Sequence, residues 1–390
     1  MKLGMSSDMV AVTVPKLNSD GTAPVIEPLA SQLAVRLAAN VLVSLADRER
    51  AVMNLHQPRQ RLVTLADVAR EAGVGESTVS RVLRKHGSFS KGTQDRVAEA
   101  VARLGYVPNR LAGSLAGSAN SAGSQLVGIV IPSLTNIVFP DLLRGIAGGL
   151  DAVGFQSVIA VSDYDPEREE ALIGALLSWR PAGLIVTGLE HTPGAVARLR
   201  ASGVRIVEMI DTDGPGLDIV VGFSNRAVGR ASAEHLLGRG YRRIGFVGHD
   251  LDRDLRAGKR LAGFAAALDA AGHPLRDREI LAGPSSAAAG REALGRLLAR
   301  NADLDAVYFS NDDMALGGYF HCLAAGLSIP GRIALFGYNG LDITAAMPQP
   351  LSTIRTPRLR IGQVAAERLG AGGPAETVDL GFELIEGATA

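Results

Sequence analysis

The sequence is poor in cysteine, because Cys322 is the only one among 390 residues. An intramolecular disulfide and a thiolate cluster for zinc are therefore excluded, and a reducing cytoplasm is the expected compartment. The sequence also lacks an uninterrupted run of about 18 apolar residues, which a membrane-spanning helix needs. Its N-terminus shows no basic segment leading into an apolar one, so we expect neither secretion nor a membrane partner.

A net charge is absent as well, since 40 lysine and arginine residues balance 40 aspartate and glutamate residues. Composition alone therefore gives no indication of a polyanionic partner. The charges are distributed unevenly, however, because ten basic residues stand against five acidic residues between Arg59 and Ser121. A locally basic segment of this kind is typical of a nucleic-acid-binding surface.

Phosphate-binding loops and catalytic motifs are also missing. No G-x-G-x-x-G sequence follows a predicted strand, and Gly258-Lys259 lacks the spaced glycine of a P-loop. The histidines show neither an HExxH motif nor metal-ligand spacing, and no G-x-S-x-G motif is present. We therefore predict a binding protein that is not an enzyme and that uses no cofactor or metal.

Residues 1–57 match no pattern found further along the chain. Residues 1–23 are typical of a disordered segment, while the stretch from Ile26 to Leu55 has the spacing of an amphipathic helix. One hypothesis is that translation begins at Met53 and that the upstream start is wrongly assigned. The alternative is a disordered extension without function.

The segment Val63–Leu83 has the pattern of a helix-turn-helix. Thr64, followed three residues later by Asp67, predicts a capping box at the start of a first helix. The turn Gly73-Val74-Gly75 ends that helix, and a second one begins at Glu76. Two short helices joined in this way place the second one in a DNA major groove, although a helical hairpin in an ordinary core has the same pattern.

A third helix is predicted from Lys91 to Leu104, with Ser90 as its N-cap and Gly105 as its end. Three helices of this length make a small DNA-binding unit. We therefore assign residues 62–106 to a helix-turn-helix domain.

Residues 107–124 are rich in Gly, Ser and Ala and are typical of a linker. Within them, Asn109–Ala116 has the length of about two helical turns, with Leu111 and Leu115 on one face. A helix this short is not stable alone in water. We therefore assign residues 107–124 to a linker that includes a short hinge helix.

From residue 125 to residue 390, apolar runs of buried-strand character alternate with helical segments. The runs are residues 126–131, 157–161, 183–188, 205–210, 219–223, 243–248, 306–310 and 333–338. The helical segments include Pro140–Val153, Asn225–Leu237, Arg260–Ala271 and Asp312–Ala325. This alternation predicts βαβ units and parallel sheets. This number of strands is too large for one open sheet. We therefore expect two Rossmann-like lobes with a ligand cleft at the carboxyl ends of the strands.

The chain from about Leu62 onward resembles the lactose-repressor (LacI) family of bacterial transcription regulators. The motifs that carry the resemblance are TLADVAREAGVGESTVSRVL, GYVPNRLAGSLAG, RASAEHLLGRGYRRIGFVG, SNDDMALGGYF and IALFGYNGLDI. Within the family, the chain looks closest to the gluconate-operon repressors through LLSWRPAGLIVTGLEHTP, VEMIDT, LDIVVGFSN and VDLGFEL. The resemblance implies an all-α helix-turn-helix headpiece followed by a two-lobed α/β domain like that of periplasmic binding proteins.

The resemblance also implies which residues contact DNA. The positions are Thr64, Glu76, Ser77, Thr78, Ser80, Arg81, Asn109 and Leu115. Arg81 is the strongest candidate for a guanine contact because its guanidinium can bond two acceptors at once, although a contact with phosphate alone remains an alternative. Leu115 matches a leucine that, in the family, inserts into the minor groove of the operator. The alternative is that Leu115 only packs against the linker helix of the partner subunit.

For the effector domain, the resemblance implies a pocket arginine, aromatic walls and hydrogen-bonding side chains at strand ends. The positions are Ser133, Phe139, Asp211, Arg230, Phe264, Asn311, Asp312 and Asn339. Arg230 is expected at the cleft edge, where a guanidinium can bind a carboxylate, unless it pairs with Glu234 one turn on. Core packing is the alternative for the two phenylalanines. Asn339 stands where sugar-binding relatives have an aspartate. The loss of that negative charge reduces the repulsion of an anionic ligand.

The resemblance thus implies a homodimeric repressor that binds double-stranded operator DNA and is released by a small effector, expected to be a sugar acid such as gluconate. A neutral sugar as effector, or a corepressor that tightens DNA binding, remains open. The alternative from another class is a solute-binding protein. Such a protein shares the two-lobed fold but needs no DNA-binding segment.

Overall fold

Residues 63–83, 86–107 and 124–390 are described by the computed structural model. The chain divides into two units, residues 1–109 and residues 110–390. The predicted extension over residues 1–57 lies outside the described residues. So do Asn109, Leu111 and Leu115 of the predicted hinge helix.

The described residues of the first unit form three helices: α1 (Leu65–Ala72), α2 (Glu76–Leu83) and α3 (Lys91–Leu104). The capping box at α1 is confirmed, because the Asp67 amide donates to the Thr64 hydroxyl at 3.3 Å and the Thr64 amide donates to the Asp67 carboxylate at 2.9 Å. Gly73 ends α1 in the left-handed conformation, with φ of 63°. A residue with a Cβ is strained there, which explains why the turn needs glycine.

The three helices enclose a small apolar core. Its fully buried members come from all three helices and are Val68, Ala69, Ala72, Val79, Val97 and Ala100. The apolar faces predicted from the helical spacing are therefore the faces that pack. The opposite side of α2 is left polar and exposed.

From residue 124 to residue 390, the second unit forms two parallel sheets and one antiparallel pair. The strands are β1 (Leu126–Ile131), β2 (Gln156–Val161), β3 (Gly183–Thr187), β4 (Arg205–Met209), β5 (Ile219–Gly222), β6 (Ile244–His249), β7 (Asp277–Leu281), β8 (Ala306–Phe309), β9 (Ala334–Phe336), β10 (Thr353–Arg355), β11 (Glu376–Asp379) and β12 (Glu383–Ile385). The larger sheet has the order β11-β5-β4-β3-β1-β2 and the smaller one the order β7-β6-β8-β9, while β10 pairs with β12. All neighbouring strands of the two larger sheets are parallel.

Helices connect the strands of this unit. They are α4 (Val138–Ala152), α5 (Pro166–Ser178), α6 (Pro193–Ser202), α7 (Asn225–Gly238), α8 (Leu255–Ala270), α9 (Ala287–Arg300), α10 (Asp312–Ala324), α11 (Asp342–Ala345) and α12 (Arg358–Ala371). We call the lobe built on the six-stranded sheet the first lobe and the lobe built on the four-stranded sheet the second lobe. The two-lobed α/β prediction is confirmed.

All eight predicted apolar runs are strands, but the four short or polar strands β7, β10, β11 and β12 were not predicted. β7 and β11 are edge strands, and their sequences DREIL and ETVD carry charged residues instead of an apolar run. An edge strand faces solvent along one side, so it can be polar. Helix α8 begins at Leu255, five residues before the predicted start, because Asp254 caps it.

A continuous buried cluster includes strands of both lobes, such as Ile185 of β3 and Tyr308 of β8. Separate clusters cover the outer faces of the two sheets. Each parallel sheet is therefore buried on both faces, as parallel sheets generally are. Within the described ranges, no helix is long and apolar enough to cross a membrane.

Candidate functional site

The polar side of α2 is where the sequence placed most of the DNA-contacting residues. Glu76, Ser77 and Arg81 are exposed, while Thr78 and Ser80 are half-buried. Their exposure follows from the burial of Val79, which has no exposed surface and turns the helix away from its polar side. The residues predicted to read bases are thus accessible to a partner.

Arg81 is held by a residue that the sequence analysis did not single out. Its guanidinium carbon lies 5.4 Å from the centroid of the Phe89 ring, in the loop between α2 and α3. A cation over an aromatic face is attracted by the ring's quadrupole. Phe89 therefore limits the rotamers of Arg81 before any partner is bound.

Thr64 has a structural role in addition to its predicted DNA contact. Its hydroxyl donates to the Asp67 carboxylate at 2.6 Å and accepts from the Asp67 amide. The side chain is exposed, but both of its hydrogen-bonding functions are used by the helix cap.

A cavity lies in the second unit, between residues that follow the strands. Residues that follow strands of both sheets line it, so it lies at the carboxyl ends of the strands, where the sequence predicted a ligand site. Its apolar lining comes from Val138, Phe139, Ile210 and Phe223. Its polar lining comes from Asn136, Tyr164, Asn225, Asp254, Arg256, Arg260, Asn311, Tyr338, Asn339, Thr356 and Arg358.

Three of the predicted effector residues line this cavity: Phe139, Asn311 and Asn339. Asn311 follows β8 and Asn339 follows β9, which are neighbours in the smaller sheet. Adjacent parallel strands bring the residues at their carboxyl ends together, so the Asn339 amide nitrogen lies 3.4 Å from the Asn311 amide oxygen.

The predicted pocket arginine is not in the pocket. Arg230 is exposed on α7 and does not line the cavity. The reason is the packing of α7, which turns Gly229 and Val228 inward and leaves the next residue on the outside. Phe264 is also not a pocket wall, because it is fully buried and lies 4.6 Å from Tyr308 between ring centroids.

The remaining predicted residues make structural contacts away from the cavity lining. The Ser133 hydroxyl accepts from the amides of Thr135 and Asn136 and so stabilises the turn after β1. Asp211 has no exposed surface and is paired with Lys259.

Asp312 is buried directly behind Asn311. Its carboxylate accepts from the Thr353 hydroxyl at 2.7 Å and from the Leu341 amide at 2.9 Å. Burial raises the pKa of Asp312 to about 6, although these hydrogen bonds oppose the increase. Through these hydrogen bonds, Asp312 connects the start of α10 to Leu341, which follows β9, and to Thr353 of β10.

Three arginines that the sequence analysis did not select line the cavity. Arg260 is 4% exposed, and one of its terminal nitrogens donates to the Asn225 side-chain oxygen at 2.9 Å. Arg256 lies one turn earlier on α8, and Arg358 begins α12. The sequence signal for Arg256 and Arg260 was Asp254. If Asp254 is taken as the N-cap of α8, both arginines fall within the helix, four residues apart and on the same face.

Two of the three arginines have acidic partners. Arg256 lies 3.4 Å from Asp254, and Arg358 lies 3.3 Å from Asp141. Burial disfavours the charged form of Asp254, but the neighbouring guanidinium groups outweigh it and hold the pKa of this carboxyl below its usual value. Asp141 is shared with Arg144, 3.1 Å away, whereas Arg260 makes no ion pair with a carboxylate of the described residues.

Two buried polar atoms at the cavity have no hydrogen-bond partner within the described part of the chain: Nε of Arg260 and Oδ1 of Asn339. The first is a donor and the second an acceptor. Unpaired polar atoms are costly inside a protein, so these two atoms are candidates for contacts with a ligand that supplies an acceptor and a donor.

A helix-turn-helix unit together with a two-lobed domain that holds a polar cavity defines a DNA-binding regulator with a ligand-binding domain. The family model of bacterial regulatory proteins of the lacI family matches residues 64–109. The model of periplasmic binding proteins and the sugar-binding domain of the LacI family matches residues 124–372. The chain belongs to the LacI family of bacterial transcriptional regulators. The match to the DNA-binding domain also contradicts the alternative of a solute-binding protein.

Relatives of known structure or name agree with this assignment. The HTH-type transcriptional regulator GntR of Pseudomonas aeruginosa is 41% identical over 329 residues, which are 83% of this chain and 94% of the relative. The crystal structure of a LacI-family transcriptional regulator from Silicibacter pomeroyi is 43% identical, with a TM-score of 0.78, and covers 84% of this chain and 99% of that one. The structure of the lac repressor dimer bound to operator is 27% identical, with a TM-score of 0.70, and covers 84% of this chain and 99% of that one. These proteins are regulators and not enzymes.

Proposed function

We propose that this protein is a dimeric repressor whose effector is an unphosphorylated sugar acid of the gluconate type. The observation that carries the proposal is the pair of unsatisfied atoms at the cavity, Nε of Arg260 and Oδ1 of Asn339. A guanidinium binds a carboxylate through parallel hydrogen bonds, and an amide oxygen accepts a hydroxyl hydrogen. A sugar acid supplies both groups in one molecule.

The charge at the cavity supports a ligand with one negative charge. Arg256 is paired with Asp254, and Arg358 shares Asp141 with Arg144, which leaves Arg260 as the lining arginine for the ligand. A phosphorylated sugar acid would bring further negative charge that the lining does not balance. A neutral sugar would leave the guanidinium of Arg260 without a charged partner in a buried site.

The proposal assigns residues 62–106 to DNA reading, 107–124 to a hinge and 125–390 to effector binding and dimerisation. On the DNA side it keeps the predicted positions, which are Thr64, Glu76, Ser77, Thr78, Ser80, Arg81, Asn109 and Leu115. On the effector side it combines predicted with newly found residues, which are Phe139, Asn311, Asn339, Arg256, Arg260 and Arg358.

In the proposed mechanism, two copies of α2 occupy successive major grooves of an operator in the cytoplasm. LacI-family repressors bind operator DNA and small effectors and act as dimers, and the lac repressor structure is a dimer on its operator. An effector that binds across the two lobes changes their relative orientation and thereby weakens DNA binding. By thermodynamic linkage, the operator must weaken effector binding by the same factor.

A thermal-shift experiment on the full-length protein tests the ligand class. We expect D-gluconate to raise the melting temperature, because a ligand of the folded state stabilises it. D-Glucose and 6-phosphogluconate, at equal concentration, should have little effect. A shift with D-glucose and none with D-gluconate would replace the sugar acid by a neutral sugar.

A DNA-binding titration tests the direction of regulation. An operator fragment obtained by in vitro selection with the full-length protein is titrated with and without D-gluconate. We expect D-gluconate to weaken operator binding. Tighter binding in its presence would make the ligand a corepressor.

A further inference from the structure

His249 is a buried histidine behind the cavity, and no step of the proposed function uses it. It is the last residue of β6 and is 4% exposed. Its Nδ1 lies 3.2 Å from the Gly283 carbonyl oxygen, and its Nε2 lies 2.9 Å from the side-chain nitrogen of Asn311. The imidazole thus joins the backbone of one loop to a side chain that lines the cavity.

The chemistry of these contacts fixes where the ring carries its proton. A carbonyl oxygen can only accept a hydrogen bond, so Nδ1 must be the donor to Gly283. In a neutral ring, Nε2 is then an acceptor, and Asn311 must turn its NH2 group toward it. This leaves the Asn311 oxygen on the opposite side.

The same logic continues to Asn339. Its side-chain nitrogen lies 3.4 Å from the Asn311 oxygen and donates to it. The remaining atom, Oδ1 of Asn339, is buried without a hydrogen-bond partner in the described part of the chain, and Asn339 is one of the residues that line the cavity. Each amide in the chain therefore has its orientation set by the one behind it, beginning at the Gly283 carbonyl.

We propose that His249 is a positioning residue, whose neutral ring with the proton on Nδ1 makes Asn339 present an acceptor to the cavity. The ligand must then place a hydroxyl at Asn339 and its carboxylate at Arg260, because a carboxylate cannot donate to an amide oxygen. The assignment of ligand groups rests on the proposed function, while the proton position does not.

The opposite proton position would have the opposite effect. With hydrogen on Nε2, Asn311 would turn its oxygen toward His249 and its NH2 group toward Asn339. Asn339 would then offer an NH2 group to the cavity and could bind a carboxylate there. The ring of His249 therefore determines which end of a sugar acid each side of the cavity accepts.

The proton position is measured directly by ¹⁵N NMR of the full-length protein labelled at its histidine rings. A His249→Gln variant assigns the signal. At pH 8 we expect a neutral ring protonated on Nδ1, whereas most histidines of disordered chains are protonated on Nε2. A ring protonated on Nε2, or on both nitrogens, would overturn the proposal. Neutron diffraction from a deuterated crystal locates the same hydrogen without any variant.

The consequence for the ligand is measured with D-gluconate and its monodeoxy analogues by calorimetry. In the natural protein, we expect at least one analogue to bind about tenfold or more weakly, since it leaves the Asn339 oxygen unpaired. In His249→Phe, the amides are free to rotate, so this penalty should shrink severalfold. His273→Phe, at a position that does not line the cavity, should keep the full penalty.

An unchanged penalty in His249→Phe would contradict the positioning role. If D-gluconate does not bind at all, the proposed function fails, and the NMR and neutron measurements still decide the proton position on His249.

Discussion

The guanidinium of Arg260 stacks on the ring of Tyr338, with its central carbon 3.8 Å from the ring centroid. Tyr338 follows β9, while Arg260 is on α8, so the contact joins two elements of the second lobe. The stacking and the hydrogen bond to Asn225 hold the arginine in one orientation. An immobilised side chain loses less conformational entropy when a ligand binds.

Replacing Arg260 by lysine should weaken D-gluconate binding about tenfold or more. Lysine keeps the charge but loses the planar fork and the stacking on Tyr338. The measurement is calorimetric titration of the folded variant. Arg230→Ala is the control, because Arg230 is exposed and does not line the cavity. Loss of binding in Arg230→Ala, with Arg260→Lys unaffected, would restore Arg230 as the effector residue.

Apolar periodicity alone could not distinguish Arg230 from Arg260. Helices α7 and α8 pack through glycines, since a Cβ on Gly229 would lie 1.9 Å from the Arg260 carbonyl oxygen. A Cβ on Gly263 would lie 2.2 Å from the Arg226 carbonyl oxygen. The buried face of α7 combines Val228 and Leu236 with Gly229 and Ser232, so apolar residues mark only part of it in the sequence.

Gly229→Ala should therefore destabilise the protein by about 3 kcal/mol or more, because the new methyl group cannot fit unless α7 and α8 separate. We also expect weaker D-gluconate binding, since separation of the helices moves Arg260. The measurements are urea unfolding and calorimetry. Gly238→Ala on the same helix is the matched control, because its Cβ would meet nothing within 4 Å. It should leave stability unchanged or raise it by up to about 1 kcal/mol.

Local sequence signals made the helices of the first unit predictable. In the second unit, tertiary contacts determine which residues line the cavity, and these contacts could not be predicted in the same way. The cap at Thr64 and the left-handed glycines Gly73 and Gly105 act within a few residues, so the bounds of the helices follow from the sequence. The buried strands were predicted because each is a continuous apolar run. The cavity residues Arg256 and Arg358 come from distant parts of the chain, and nothing in their own neighbourhoods indicates that they meet.

The stability of the protein should fall as the pH rises from about 6.5 to about 9, because of His191. Burial opposes its charged form, but ion pairs with the carboxylates of Glu169 and Glu208 outweigh burial and raise the pKa of His191 to about 9. A group whose pKa is higher in the folded state stabilises it fully below the unfolded value and loses that contribution above the folded value. The loss amounts to about 3 kcal/mol at 1.36 kcal/mol per pH unit.

Urea unfolding of the natural protein and of His191→Gln across this range measures the effect. The variant should lack the decrease. Asp312, whose pKa is raised to about 6 by burial, titrates mainly below this window. An equal decrease in both proteins would assign the pH dependence to other groups.

Arg81→Lys should reduce the affinity for the selected operator about tenfold to a hundredfold, because lysine replaces the rigid planar fork of two donors with a single ammonium group. Lysine keeps the charge, so binding to a scrambled sequence should keep its strength and its salt dependence. Fluorescence anisotropy with both DNAs at several salt concentrations separates these effects. Arg103→Lys is the control, because Arg103 is on α3 and is paired with Glu71. Unchanged operator binding by Arg81→Lys would mean that Arg81 contacts only phosphate, since a phosphate contact needs the charge and not the shape of the side chain.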